Sequence, residues 1–282
     1  MTAPEVTVVQ LTDTHIVGAD VHKAVDTYDN LTRVLARLVA SNQRIDALVL
    51  SGDLTDSGAP EAYQRLRDAV EPAAQALGAA VIYAMGNHDE RGAFARVLLG
   101  GSESGEQPLD SVYEVRGLRI VVLDSTTPGR HEGRLEPEQL AWLREQLATP
   151  APLGTLLVLH HPPIPSVIKT SNFLRLYDAD ELADVVAGSD VRMIVCGHNH
   201  FTGAAAIAGI PVWVGPPMSY RSDPLAPVGR HRGIVGYGFS RIDVVEGTFL
   251  VTHVEATPTE QVYDNALQDV LDMLADLAGQ AR

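Results

Sequence analysis

One cysteine, Cys196, stands in 282 residues. That excludes an internal disulfide framework and a thiolate-rich zinc module, and it suits a reducing compartment. Positive charge is also short. Against 36 Asp and Glu there are 21 Lys and Arg, a formal net charge of −15. Such a surface repels duplex DNA, RNA and anionic membranes, so nucleic acid is not the expected partner. No apolar run approaches the ~20 residues that span a bilayer. The opening Met-Thr-Ala-Pro-Glu lacks the basic and then apolar segments of a signal peptide. A soluble, cytoplasmic protein is the expectation. No Gly-rich loop with a following lysine is present, which removes P-loop chemistry. What remains is an ordinary globular composition, 45% apolar and 20% charged, long enough to bury a full core.

The first two-thirds of the chain alternate between two periods. Short apolar runs rich in β-branched residues predict strands at Val6–Leu11, Ala47–Leu50, Ala80–Tyr83, Ile120–Leu123, Leu156–Leu159 and Met193–Cys196. Between them, Leu31, Val34, Leu35 and Leu38 recur at helical spacing, as do Tyr63, Leu66 and Val70, and then Leu140, Leu143 and Leu147. Strand–helix–strand alternation predicts a layered α/β fold. Beyond residue 200 three strands follow without helices, at Ile210–Val214, Gly238–Val244 and Thr248–Thr252, and Pro216 to Gly236 reads as a long loop. The tail places Leu267, Val270, Leu271, Leu274 and Leu277 on one helical face. The expected organisation is a single domain over residues 1–260, with a helix in 261–282 packed on it or on a dimer partner.

Five of the predicted strands run into polar clusters. These are Asp13-Thr14-His15, Gly52-Asp53-Leu54-Thr55-Asp56, Gly86-Asn87-His88-Asp89, His160-His161-Pro162-Pro163 and Gly197-His198-Asn199-His200. Taken singly, each is an ordinary cap or turn. Taken together, and in open α/β sheets where the strand ends share one crevice, they predict a common site. Imidazole, carboxylate and amide donors suit Mn, Fe, Zn or Co. Seven or so such ligands are too many for one ion, whereas two ions about 3.5–4 Å apart need a shared carboxylate. Asp53, on a tight glycine turn in the middle of the set, is the candidate bridge. With only Asp13 and Asp53 as carboxylate ligands, two divalent ions leave a net positive site that attracts a phosphoryl group.

These five blocks, in this order across residues 6 to 202, resemble the calcineurin-like metallophosphoesterases. The resemblance implies a four-layer α/β/β/α sandwich and a two-metal site on loops at one sheet edge. It implies that Asp13, His15, Asp53 and His200 hold one metal, and that Asp53, Asn87, His160 and His198 hold the other. His160 is preferred to His161 because it stands two residues before Pro162. His88 is implied as electrostatic stabiliser or general acid, with Asp56 orienting it through a hydrogen bond, and Asn87, His88 and His200 as phosphate contacts.

Finer features, namely Gly52-Asp53-Leu54-Thr55-Asp56, the double His160-His161-Pro162-Pro163 and Gly133-Arg134-Leu135 with Gln139 to Leu143, are similar to the bacterial class III cyclic-nucleotide phosphodiesterases. The implied reaction is hydrolysis of a 3′,5′-cyclic nucleotide such as cAMP to a nucleoside 5′-monophosphate by hydroxide attack between two transition-metal ions, Fe or Mn first and Zn or Co next. The alternative is a relative acting on glycerophosphodiesters, 2′,3′-cyclic nucleotides or phosphomonoesters. A homodimer is an expected assembly. Among other residues, His22, Asn30, Phe201, Tyr220, Arg221, Arg230 and His231 are candidates for a substrate pocket. His131 and His253 read as exposed or strand-surface positions, and Trp213 and the buried Cys196 read as core.

Overall fold

The structure, a computed structural model, describes residues 3–101 and 107–280. In chain order the elements are β1 (Val6–Leu11), α1 (Thr27–Ala40), β2 (Ala47–Ser51), α2 (Pro60–Leu77), β3 (Ala80–Ala84), α3 (Arg91–Leu98), β4 (Ser111–Val115), β5 (Leu118–Leu123), α4 (Pro137–Gln146), β6 (Thr155–Leu159), α5 (Lys169–Asn172), α6 (Ala179–Val186), β7 (Val191–Cys196), β8 (Gly203–Ile207), β9 (Ile210–Val214), β10 (Arg221–Ser222), β11 (Gly233–Ile234), β12 (Gly238–Val245), β13 (Thr248–Glu255) and α7 (Leu267–Gln280).

Local chemistry explains the main helices. In α1, Asp26 caps the first turn by accepting from Asp29 N at 3.0 Å, and Leu31, Val34, Leu35 and Leu38 form the buried stripe. Helix α2 opens on Pro60, whose missing N–H costs nothing in the first turn, and stops at Gly78 in the left-handed conformation. Helix α4 also opens on a proline, Pro137, and Glu136 N donates to Gln139 Oε1 at 2.9 Å.

The strands sort into two large sheets. The first runs β13-β12-β1-β2-β3, with β1, β2 and β3 parallel; the second runs β4-β5-β6-β7-β9-β8, with β5, β6, β7 and β9 parallel. Three apolar layers hold them. Leu31, Leu35, Tyr63, Leu66 and Phe94 pack α1 to α3 on the outer face of the first sheet. Val6, Val8, Val49 and Ile82 meet Ile120, Val122, Leu156 and Val195 between the sheets. Leu140, Leu143, Leu182 and Val186 pack α4 and α6 on the outer face of the second. The result is a four-layer α/β/β/α sandwich. Central strands β2 and β6 are buried on both faces, which is why Ala-Leu-Val-Leu and Thr-Leu-Leu-Val-Leu read as unbroken apolar runs. Each such buried Leu or Val contributes about 1.5–3 kcal/mol.

The two sheets are also joined by polar links near the strand ends. Gln10 Nε2 donates to Ser51 Oγ and across the sandwich to Cys196 O, both at 2.9 Å. Arg91, at the start of α3, pairs with Asp124 beyond β5 at 2.8 Å, both buried. Removing either partner would strand a buried charge, at about 3–5 kcal/mol.

Several elements escaped the sequence pattern. Strands β4 and β8 carry a half-buried or small-residue face, Ser-Val-Tyr-Glu-Val and Gly-Ala-Ala-Ala-Ile, and α3 and α6 are only two turns long. The late strands do not form one sheet: β8 and β9 extend the second, while β12 and β13 return to the first. Pro216 to Gly236 is not a plain loop, because the antiparallel β10–β11 pair pinches it. In α7 the apolar residues Leu267, Leu271 and Leu274 are exposed in the single chain, whereas the Leu277 side chain lies outside the described residues. Among the described residues no helix is long and apolar enough to cross a membrane.

Candidate metal centre

Backbone hydrogen bonds draw the strand-end loops to one edge of the sandwich. Asp13 N donates to Gly52 O at 3.0 Å, His15 N to Asp53 O at 2.9 Å and Gly197 N to His160 O at 3.0 Å. The loops are strained where the donors sit. Nine described non-glycine residues have positive φ, and Asp13, His15, Asp53, His198 and His200 are five of them. Such backbone costs of order 1–3 kcal/mol per residue and persists where the surroundings dictate it. Glycine is required beside them. At Gly52, with φ 99°, a Cβ would land on the His160 ring; at Gly86 it would land on the Asp53 main chain and carboxylate.

The donors form three groups, one of them His15, Asp56 and His88, and the other two share a carboxylate. Asp13, His15, Asp53 and His200 each offer an atom within 4.8 Å of the others, and so do Asp53, His160 and His198. Asp53 belongs to both. Its Oδ2 lies 3.6 Å from His15 Nε2 and 3.2 Å from His160 Nε2, while its Oδ1 accepts from His88 N at 2.9 Å. His200 Nε2 is 3.4 Å from Asp13 Oδ1 and 3.1 Å from His15 Nε2.

Ring orientation follows from the far nitrogens. His160 Nδ1 is 3.0 Å from Ser51 O, and His200 Nδ1 is 3.0 Å from Tyr220 O. A carbonyl can only accept, so Nδ1 carries a proton and Nε2 is the nitrogen that faces the carboxylates and would be offered to a metal. Among the buried side-chain atoms without a hydrogen-bond partner are His160 Nε2, whose near neighbour is the Asp53 carboxylate, and Asn87 Oδ1. Asn87 meets His131 Nδ1 through its amide nitrogen at 3.3 Å, which leaves that oxygen over. These features fit a pair of cations.

Electrostatics point the same way. Burial opposes ionisation of Asp13, but His200 beside it holds the carboxyl down at about 2. Asp53 is held well below the usual carboxylate range against the same burial by His160 and His15. His160 is pushed up to about 9, since Asp53 outweighs its desolvation, whereas burial and the neighbouring His160 push His198 down to about 3. The two carboxylates thus favour positive charge in their midst.

His88 and Asp56 are linked differently from the side-chain contact that the sequence suggests. His88 Nδ1 lies 2.9 Å from the main-chain carbonyl of Asp56. The Asp56 carboxylate instead takes Lys23 Nζ at 2.8 Å and lies 3.7 Å from His15 Nδ1. Those two partners hold it below the usual range despite partial burial. The role of Asp89 was not visible in its motif. Its buried carboxylate accepts from Leu54 N, Thr55 N, Gly86 N and the Tyr63 hydroxyl, tying the Asp53 and His88 turns together. His161 Nδ1 is 2.9 Å from Ser125 Oγ and its Nε2 3.2 Å from His131 O, so it braces the loop behind the site.

An open cavity of about 450 Å³ stands over the two groups. It is lined by His15, Asp53, Asn87, His88, His198 and His200, and by Lys23, His131, Tyr220 and His231 from surrounding loops. Of the sequence candidates, Tyr220 and His231 therefore reach it, and His131 joins them although it read as a surface position. His22, Asn30, Phe201, Arg221 and Arg230 do not line it. Asn30 donates to Met218 O at 2.9 Å, and Arg221 pairs with Glu255 at 2.5 Å. Two wall residues had no signal of their own. Asn199 is 5% and Ser219 1% exposed, and their Oδ1 and Oγ lack partners.

Hydrolases of phosphoric esters are the class to which this fold and donor set belong. The chain is a member of the calcineurin-like phosphoesterase family, whose model matches residues 6–201. It is 45% identical over 249 residues to the "Probable cyclic nucleotide phosphodiesterase" of Rhodococcus erythropolis, covering 88% of this chain and 82% of the relative. It is 45% identical over 232 residues to the "cAMP/cGMP dual specificity phosphodiesterase" of Mycobacterium tuberculosis, covering 82% and 73%. In three dimensions it is similar to a dimetal phosphatase from Danio rerio, with a TM-score of 0.65, 15% identity and coverage of 90% and 98%. That last likeness is one of fold.

Proposed function

We propose that this chain hydrolyses 3′,5′-cyclic nucleotides, cAMP foremost, to nucleoside 5′-monophosphates in the cytoplasm. The observation that carries the reading is the pair of donor groups sharing Asp53 Oδ2 beneath a cavity of mononucleotide size. The names and 45% identity of the two relatives support the substrate. Asp13, His15, Asp53 and His200 would hold one ion and Asp53, Asn87, His160 and His198 the other, with Fe or Mn preferred by the mixed imidazole and carboxylate set and Zn or Co accommodated. When bound, such ions lower the pKa of an attacking water and draw charge from the phosphoryl oxygens.

The protein's own residues position the rest. Asn87, His88 and His200 line the cavity and would contact the phosphate. The Asp56 carbonyl accepts a hydrogen bond from His88 Nδ1, which leaves His88 Nε2 to face the substrate. In the reaction water oxygen bonds to phosphorus, the P–O3′ bond breaks, His88 donates a proton to O3′, and the proton lost by the water returns to His88 through solvent. The partnerless Asn199 Oδ1 and Ser219 Oγ supply an acceptor and a hydroxyl for the nucleoside.

The test is kcat/KM of metal-reconstituted protein on 3′,5′-cAMP, 2′,3′-cAMP and glycerophosphoethanolamine in parallel. A preference of tenfold or more for 3′,5′-cAMP is expected. A better rate on either competitor would overturn the cyclic-nucleotide assignment.

A further inference from the structure

Beside the metal cavity lies a second one of about 500 Å³, walled by Val167, Ile168 and Lys169 on one side and by Asp223, Pro224 and 226–232 on the other. The two cavities share Thr170 and His231 as wall residues. Thr170 Oγ1 and His231 Nδ1 lie 3.1 Å apart, a single exposed hydrogen bond between α5 and the β10–β11 loop. One such bond in water is a weak barrier.

The charge of the second cavity runs against the rest of the molecule. The chain carries −15 overall and only two lysines. Lys23 lines the metal cavity and Lys169 the second one. Lys169, Arg230 and Arg232 line the second cavity with one carboxylate, Asp223, which Arg232 engages. Neither Lys169 nor Arg230 has a carboxylate within ion-pair distance among the described residues, although most arginines of this acidic chain have one. Apolar walls from Val167, Ile168, Pro227 and Val228 accompany these cations. Cations without partners beside apolar surface, adjoining a phosphodiester site, match a phosphate carried on a nucleoside.

We propose that the second cavity is a subsite for the terminal phosphate of a linear dinucleotide whose internal phosphodiester lies over the metal groups, so that the enzyme also cleaves short 5′-phosphorylated dinucleotides. The proposal rests on the phosphodiesterase reading above. Water adds to the internal phosphorus, one P–O ester bond breaks, and the leaving hydroxyl takes up a proton, as with the cyclic substrate. Lys169 and Arg230 are specificity residues in this scheme and touch no reacting atom.

The experiment compares pApA with ApA, which lacks the terminal phosphate, on metal-reconstituted wild type and on the K169A/R230A double variant, by kcat/KM and independently by equilibrium binding. Wild type is expected to favour pApA at least tenfold in both readouts. The double variant should reduce that preference to about two-fold or less, and 1 mM inorganic phosphate should compete only weakly. Equal handling of pApA and ApA by wild type, or a preference that survives in K169A/R230A, would overturn the subsite. Failure to hydrolyse 3′,5′-cAMP with intact pApA-selective binding would instead count against the catalytic reading and leave the subsite standing.

Discussion

Beneath the cavity Asp13 and His160 are 0% exposed and Asp53 2%, the turns are pinned by carboxylate or carbonyl hydrogen bonds, and five donor positions carry positive φ. At the rim, where the second cavity adjoins it, Val167 and Val228 are 77% and 105% exposed, and a Thr170–His231 hydrogen bond joins the two sides. Floor and rim come from the same strand-to-loop architecture, yet one is over-determined and the other lightly held. The floor has to keep anionic and imidazole donors within ångströms of one another, which only a rigid surround achieves. The rim has to admit and release a substrate, which suits segments of low local stability. Under the proposed function catalysis belongs to the floor and selection to the rim.

That contrast can be broken first at Asp53. Asp53→Ala removes the only carboxylate shared by both donor groups. Metal analysis of the reconstituted variant should find at most one tightly held ion per chain, and kcat on a phosphodiester should fall about 10³-fold or more, some 4 kcal/mol in the barrier. Two tightly held ions in the variant would remove Asp53 from its shared position. A smaller effect is expected one layer further out, at Tyr63. Its hydroxyl donates to Asp89 Oδ1 at 3.0 Å and accepts from Glu90 N at 2.9 Å, in a fully buried setting against Phe94. Tyr63→Phe leaves both groups short of a partner and should cost about 1–3 kcal/mol in urea unfolding, with an unchanged m-value. A loss below 0.5 kcal/mol would show that the Asp89 turn does not need this bond. Smallest of all should be Val228→Ser at the rim, within about 0.5 kcal/mol of wild type by the same measurement. A larger loss would mean that the rim contributes to the folded core after all.

Much of the floor could be read from the sequence because its parts are local. A buried parallel strand is a continuous apolar run, and the polar residues that follow it within three or four positions lie at the strand end whatever the rest of the chain does. Hence the sequence pattern marks Asp13, His15, Asp53, His160, His198 and His200 in order, and the structure brings their atoms together. Asp89 and Gln10 were not nominated for these contacts, since their meaning lies in partners 26 to 186 positions away. The Asp56–His88 link was expected between side chains and is made by a carbonyl, which every residue possesses and no sequence pattern marks. His131 read as surface because its exposure is real; only the fold shows that the exposed ring lies in the cavity wall.

Alternation of apolar runs with 3.6-residue stripes, determined by the sequence alone, set the α/β layering and the edge at which the donors emerge, because strand period and helix period are properties of the local chain. The kinds of donor, imidazole, carboxylate and amide, were equally determined there, and with them the class of cation. Tertiary structure alone decided that β9 joins one sheet while β12 and β13 join the other, since all three present the same alternating pattern. It decided which oxygen of Asp53 both groups share. It also decided that Lys169 and Arg230, 61 positions apart, face one cavity. Charge and shape at that distance arise from packing, which no short stretch of sequence encodes.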